Sequence, residues 1–241
     1  MTAPMQEAVV RGPHAAGFWQ RATAWSLDAL VPGLLALVLS WPLLAPALAR
    51  LEAVTDAGLH ELASAMAEAL HAQIGGSAGL ADLPLLLLPP TLQAAARLSP
   101  AVWAALWPPL LAFVVLLVAW FGGFEASRAQ ASPGKRLLGL RVTGADGDRL
   151  GLGQALVRQL AGSLSWATLN LGHLMALAGP EHRALHDRLA RTRVVAARRG
   201  LPAWAWPWLL FAMLAPVAAA GWLGSRTAAR LQYLLEQAFW Y

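Results

Sequence analysis

The sequence predicts an all-α integral membrane helical bundle: three spanning helices, a re-entrant or interfacial segment, and a small cytoplasmic β-hairpin or sheet. Three observations predict it. Of 241 residues, 58% are hydrophobic and 13% charged, against about 25% charged in a soluble domain. Several apolar runs approach the roughly 20 residues that cross a bilayer. Between them lie basic stretches with strand-like alternation and turn signals. Twelve Trp against two Tyr also suit a chain anchored at bilayer interfaces.

The first sixteen residues are polar and Pro-containing, unlike a signal peptide, and the apolar run after them exceeds a signal-peptide core, so it is expected to be retained. That first run extends from Trp19 to Leu48, interrupted by Pro32, Pro42 and Pro46. It holds two ionised residues, Arg21 and, seven positions deeper, Asp28. A carboxylate inside a spanning helix costs roughly 2.5–3.5 kcal/mol on insertion scales, so it is rarely unpaired and often marks function. Seven residues place the two side chains near one helix face but about 10 Å apart along the axis. Asp28 therefore needs a partner other than Arg21, or water.

Residues 50–99 form an amphipathic insertion whose polar face carries Glu52, Asp56, Glu61 and Glu68. Gly75, Gly76 and Gly79 end its helix, and the short apolar run after them, broken by Pro84, Pro89 and Pro90, is expected to lie in the interface or pack on the bundle. A second span covers Ala101 to Phe124. Leu138, Leu140 and Val142 then alternate with Gly139 and Arg141 before Asp146-Gly147, which reads as a hairpin. Two strands alone are marginal, and Arg191 to Arg199 is the candidate third. The run Leu152 to Ala178 is less apolar, with Arg158, Asn170 and His173. A last span, Ala203 to Leu223, is Trp-rich, and a short tail ends in Phe-Trp-Tyr.

Charge sets the topology. Arg128, Lys135, Arg136, Arg141 and Arg149 make residues 125–151 basic, and six arginines do the same for 180–200, whereas 50–99 is acidic. Positive stretches favour the cytoplasmic side, so 50–99 is placed outside and the N-terminus inside. Both basic stretches share a side if segment 152–178 re-enters or lies on the surface. Four crossings are the alternative.

The net charge of +5 reads as affinity for inner-leaflet phospholipid, because the cations cluster beside apolar runs; nucleic acid is not an expected partner. With no Cys, disulfides and thiol chemistry are excluded. His182 and His186 stand at metal-binding spacing, but arginines crowd them and no HExxH pattern surrounds them, so neither a metal nor another cofactor is expected. The run Gln130 to Arg136 lacks the spacing of a nucleotide loop; Lys135, Arg136 and Arg141 read instead as lipid headgroup contacts. No nucleophile elbow, paired catalytic carboxylates or dinucleotide fingerprint occurs, and no enzymatic activity is expected.

The chain resembles the RDD family of bacterial membrane proteins, named for one arginine and two aspartates. The likeness lies in GFWQRATAWSLDALV, SPGKRLLGLRVTGADGDRLGLGQALVRQL and ALHDRLARTRVV. Arg21, Asp28 and Asp187 fit the named residues, with Arg158, His173 and His186 as neighbours of that set. The resemblance implies a membrane domain over 1–200 containing the 50–99 insertion, with 201–241 as an added C-terminal helix and aromatic tail. It also implies a transport-related role in the bacterial inner membrane, with Asp28 binding a cation or proton and a homo-oligomer or another membrane protein as partner. The alternative is a non-transporting scaffold or lipid-binding module in which Arg21, Asp28 and Asp187 form a structural charge network.

Overall fold

The computed structural model describes residues 14–77 and 79–240. Most of the polar N-terminal stretch therefore lies outside the described residues, as does Tyr241. In chain order the elements are β1 (His14–Ala15), α1 (Phe18–Ile74), a 3-10 turn (Leu80–Asp82), α2 (Leu83–Ala126), α3 (Pro133–Leu137), β2 (Leu140–Gly144), α4 (Leu152–Ala167), α5 (Leu171–Leu174), a 3-10 turn (Met175–Leu177), α6 (Leu185–Leu189), β3 (Thr192–Ala196) and α7 (Ala205–Trp240).

Among the described residues three helices, α1, α2 and α7, are long and apolar enough to cross a membrane. Their large apolar side chains point outward: Leu34, Val38 and Leu39 of α1, Leu110 and Val115 of α2, Leu214 and Val217 of α7 are exposed. Apolar surface of that extent belongs against lipid.

Two expectations about these helices are corrected. The first span and the amphipathic stretch after it are one helix of 57 residues. Composition changes near Arg50, but Ala, Leu and Glu keep favouring helix and no proline falls between Pro46 and Pro84. The shift in polarity marks a change of surroundings, not a break in the backbone. The short run with Pro89 and Pro90 is likewise the first part of α2, which continues through Pro100, Pro108 and Pro109. Proline's fixed φ is helical, and each one removes a single donor. The C-terminal tail is also helical, as the second half of α7.

The described residues form two compact units. One comprises Leu34–Phe113 and the chain from Phe211 onward. Within it, the acidic face of the 50–99 region meets basic partners: Glu61 pairs with Arg97 of α2, and Asp56 lies 3.7 Å from Arg230 of α7.

The other unit comprises residues up to Gly33 with Val114–Leu210. It holds a three-stranded antiparallel sheet in the order β1-β3-β2. Residues 192–196 do join 140–144 as expected, with Leu140 opposite Ala196 and Gly144 opposite Thr192. The expected hairpin return after Asp146-Gly147 forms no strand, however; the third strand is His14–Ala15, paired with Ala196 and Val195. Alternation decides what is buried. Leu140, Val142, Val194 and Ala196 face a core with Ala24 of α1 and Ala155 of α4, while Arg141 and Arg193 face out.

Because Gly144 and Thr192 are paired, the segment between them leaves the sheet and returns to it. It is built from α4, of 16 residues, and the short α5 and α6, and none of these is among the spans. A left-handed pair, Leu169 and Asn170, turns the chain back after α4. Leu140→Ala should destabilise the protein by about 2–5 kcal/mol by opening a cavity. The neighbouring outward-facing Arg141→Ala should stay within about 0.5 kcal/mol. Denaturation of both variants in detergent tests the alternation.

Candidate functional site

Charged side chains in the interior of the sheet-bearing unit form one connected network. Its tightest point is Asp187, fully buried at the third position of α6. Its Oδ2 accepts from Arg21 Nη1 at 2.6 Å and from the backbone N–H of Ala184 at 2.8 Å. Its Oδ1 accepts from Arg158 Nη1. Burial alone would raise the Asp187 pKa, but the charges of Arg158 and Arg21 outweigh it and hold the carboxyl well below the usual range. Arg158, buried in α4, also donates to Thr192 Oγ1 at 2.8 Å, tying α4 to the first residue of β3. Burial works against its charge; Asp187 and Glu125 more than restore it.

Arg158 leads to a second carboxylate. Glu125, at the end of α2, is 1% exposed. Arg158 Nε lies 3.0 Å from its Oε2, Gln159 Nε2 donates to the same oxygen at 2.8 Å, and Lys135 Nζ lies 2.8 Å from Oε1. The Lys135 ammonium also sits 4.2 Å over the Phe121 ring and 3.5 Å from Ser132 Oγ.

Ser132 leads to the third. Its hydroxyl donates to Asp28 Oδ2 at 2.5 Å, and the Gly134 backbone N–H donates to Asp28 Oδ1 at 2.8 Å. Asp28 is thus held by the turn into α3. The glycine is a steric requirement: a Cβ at position 134 would lie 2.5 Å from the Ala24 carbonyl oxygen and 2.9 Å from Asp28 Oδ2. Arg21, Asp187, Arg158, Glu125, Lys135, Ser132 and Asp28 therefore form a continuous series in which three cations meet three carboxylates.

The network lies almost wholly within one stretch of family likeness. The RDD family's model matches residues 15–191. The chain belongs to the RDD family. One curated relative is a Bacillus subtilis (strain 168) protein named "Uncharacterized protein YxaI", 37% identical over 91 residues, which are 38% of this chain and 60% of that protein. The chain thus spans about three fifths of the length of that relative. No solved structure matches.

Of the three residues expected from the resemblance, Arg21 and Asp187 meet directly, whereas among the described residues Asp28 is linked to them through the turn at Ser132 and the Lys135–Glu125–Arg158 series. His186 Nε2 lies 3.6 Å from Asp187 Oδ1, and the His173 ring lies tilted at 55° with its centroid 5.1 Å from that of His186. His182 is not part of the cluster; its Nδ1 lies 3.0 Å from the Ala176 carbonyl. Of the three expected lipid headgroup contacts, Arg136 and Arg141 are exposed. Lys135 is not at a surface: it is buried against Glu125, which corrects that expectation. Its long stem reaches inward because a buried carboxylate there needs a cation.

Glu125 and Ser132 were not anticipated. Glu125 opens a stretch dominated by arginines, which masks a single acid. The available signal was its position directly after the apolar Phe121 to Phe124. Ser-Pro-Gly-Lys presents a hydroxyl, a free N–H and an ammonium in four residues, an anion-holding arrangement that here takes a carboxylate of the same chain.

Asp187→Asn removes the charge between two buried arginines and should cost about 3–5 kcal/mol in detergent unfolding. Burial first, and then Arg158, push the His186 pKa well below its ordinary value. Folded His186 therefore stays neutral where the unfolded chain binds a proton. Stability is complete above about pH 6.5 and falls as pH drops below it. His186→Gln should flatten that fall between pH 7 and 5, measured as the change in Tm.

Proposed function

We propose that this RDD family membrane protein is a non-catalytic, non-transporting scaffold, in which the Arg/Asp network fastens a cytoplasmic sheet to membrane-spanning helices. The observation that supports this most is the setting of Asp28. It is 2% exposed, and both carboxylate oxygens accept hydrogen bonds from a turn packed too tightly for a Cβ. A carrier carboxylate must exchange its ligand each cycle, which needs an open coordination position and a path to water. Fixed, dry partners suit a structural role better. Asp187, between two arginines, has the same character.

The same unit supports an orientation. β1, β2 and β3 share one sheet, so the start of the described chain and both basic stretches lie on one side. Two spanning helices separate β1 from β2 and none separates β2 from β3, which agrees with that placement. Arg136, Arg141, Arg193, Arg198 and Arg199 are exposed there. On the positive-inside rule we read that side as the cytoplasm, with the N-terminus inside, and the membrane as the bacterial inner membrane that the family likeness suggests. The outward apolar faces then meet phospholipid, and a second copy or another membrane protein is the expected scaffolded partner.

Asp28→Asn separates this reading from transport. An amide offers one acceptor oxygen to two donors, so one of the two hydrogen bonds donated to Asp28 is lost, at about 1–3 kcal/mol. Lower Tm in detergent is expected, with no cation or proton flux by the wild type in proteoliposomes. Wild-type flux that disappears in a folded Asp28→Asn variant would sink the scaffold reading.

A further inference from the structure

The beginnings of α1 and α7 border a cavity that the charge network does not use, with a volume of about 630 Å³. Small-molecule sites typically run from about 300 to 1,000 Å³. Phe18, Trp19 and Trp206 line it together with Arg198, Arg199 and His182, and no acidic residue is among its lining. Both arginines are exposed, and among the described residues neither is in an ion pair.

The site is built, not merely basic. Gln20, buried in the first turn of α1, donates through its amide to the carbonyls of Arg198 at 3.0 Å and Gly200 at 2.7 Å. It also accepts from the Gly17 N–H at 3.1 Å. The loop carrying both arginines is thereby pinned to the start of a spanning helix. The start of α7 is held to the same helix by Trp208, whose indole donates to Ser26 Oγ at 2.9 Å. Two helices long and apolar enough to span begin here, and Trp favours the depth where hydrocarbon gives way to headgroups.

A ligand that uses both kinds of lining carries negative charge and an apolar body. Guanidinium forks match the oxygens of a phosphate, and two of them without acids favour a net anion. We propose that the cavity binds the phosphate headgroup of an anionic phospholipid, with Arg198 and Arg199 on the phosphate and the aromatic side chains against the glycerol and first acyl carbons. This assignment is independent of the scaffold reading, since none of these residues belongs to the Arg/Asp network.

The test uses the full chain in detergent, titrated with phosphatidylglycerol, phosphatidylcholine or inorganic phosphate, and read by thermal unfolding and native mass spectrometry. Phosphatidylglycerol should raise Tm and bind. R198A/R199A should weaken that binding about tenfold or more, while its lipid-free Tm stays that of the wild type because both side chains are exposed. R128A/R188A, which removes two exposed cations outside the cavity, should bind nearly as the wild type does. Equal losses in the two double variants would mean a diffuse basic surface and overturn the site. Equal stabilisation by phosphatidylcholine would remove the anion requirement. Inorganic phosphate alone matching the lipid would make free phosphate the ligand and remove the acyl contact.

Discussion

Everything in the sheet-bearing unit answers to one buried carboxylate. Taking Asp187 out of water costs several kcal/mol, and only close cations and N–H donors recover it. Those partners come from three places in the chain. Arg21 extends from α1, Arg158 from α4, and the Ala184 N–H from the start of α6 itself. Arg158 also reaches Thr192, so the strand that centres the sheet is fixed relative to the same point. The hydrophobic core of Leu140, Val142, Val194 and Ala196 is small. Apolar packing on that scale tolerates sliding. The carboxylate does not, because a shift strands a charge.

The same logic continues from Arg158 to Asp28. Arg158 is shared between two carboxylates, and each carboxylate has more than one donor. Glu125 takes two, with the Arg158 guanidinium as a further ion-pair partner, and Asp28 takes two. The turn at Ser132 to Lys135 matters most for its geometry. Ser and Gly supply two donors to Asp28 while the lysine next to them turns away to Glu125. One tight turn therefore joins α1 to the end of α2, and the absent Cβ at Gly134 allows the approach.

Much of this was legible in the residues. An ionised group inside an apolar segment is conspicuous, which is why Arg21 and Asp28 stand out and why Asp28 needs a partner other than Arg21. Asp187 lies in a charged stretch and is marked only by the family resemblance. The alternation at 138–142 and 192–196 likewise pointed to paired strands. Other features leave no local trace. A two-residue strand such as His14–Ala15 has no periodicity to detect. Helix continuity past Arg50 is hidden because polarity reports on surroundings, whereas the backbone follows propensity and proline placement. Lys135 beside an apolar run looks the same whether it snorkels to a headgroup or turns inward to an acid. Only the position of Glu125 in three dimensions separates the two.

The network is wide in sequence as well as tight in space. Asp28 waits for Ser132, 104 residues later, and Arg21 for Asp187, 166 residues later. A chain made from its N-terminus presents α1 to the membrane with both charges while none of these partners yet exists. Early in synthesis this helix carries a desolvation penalty that the finished protein does not. Among the described elements, α1 therefore reaches its final surroundings only when the segment that ends at β3 is complete.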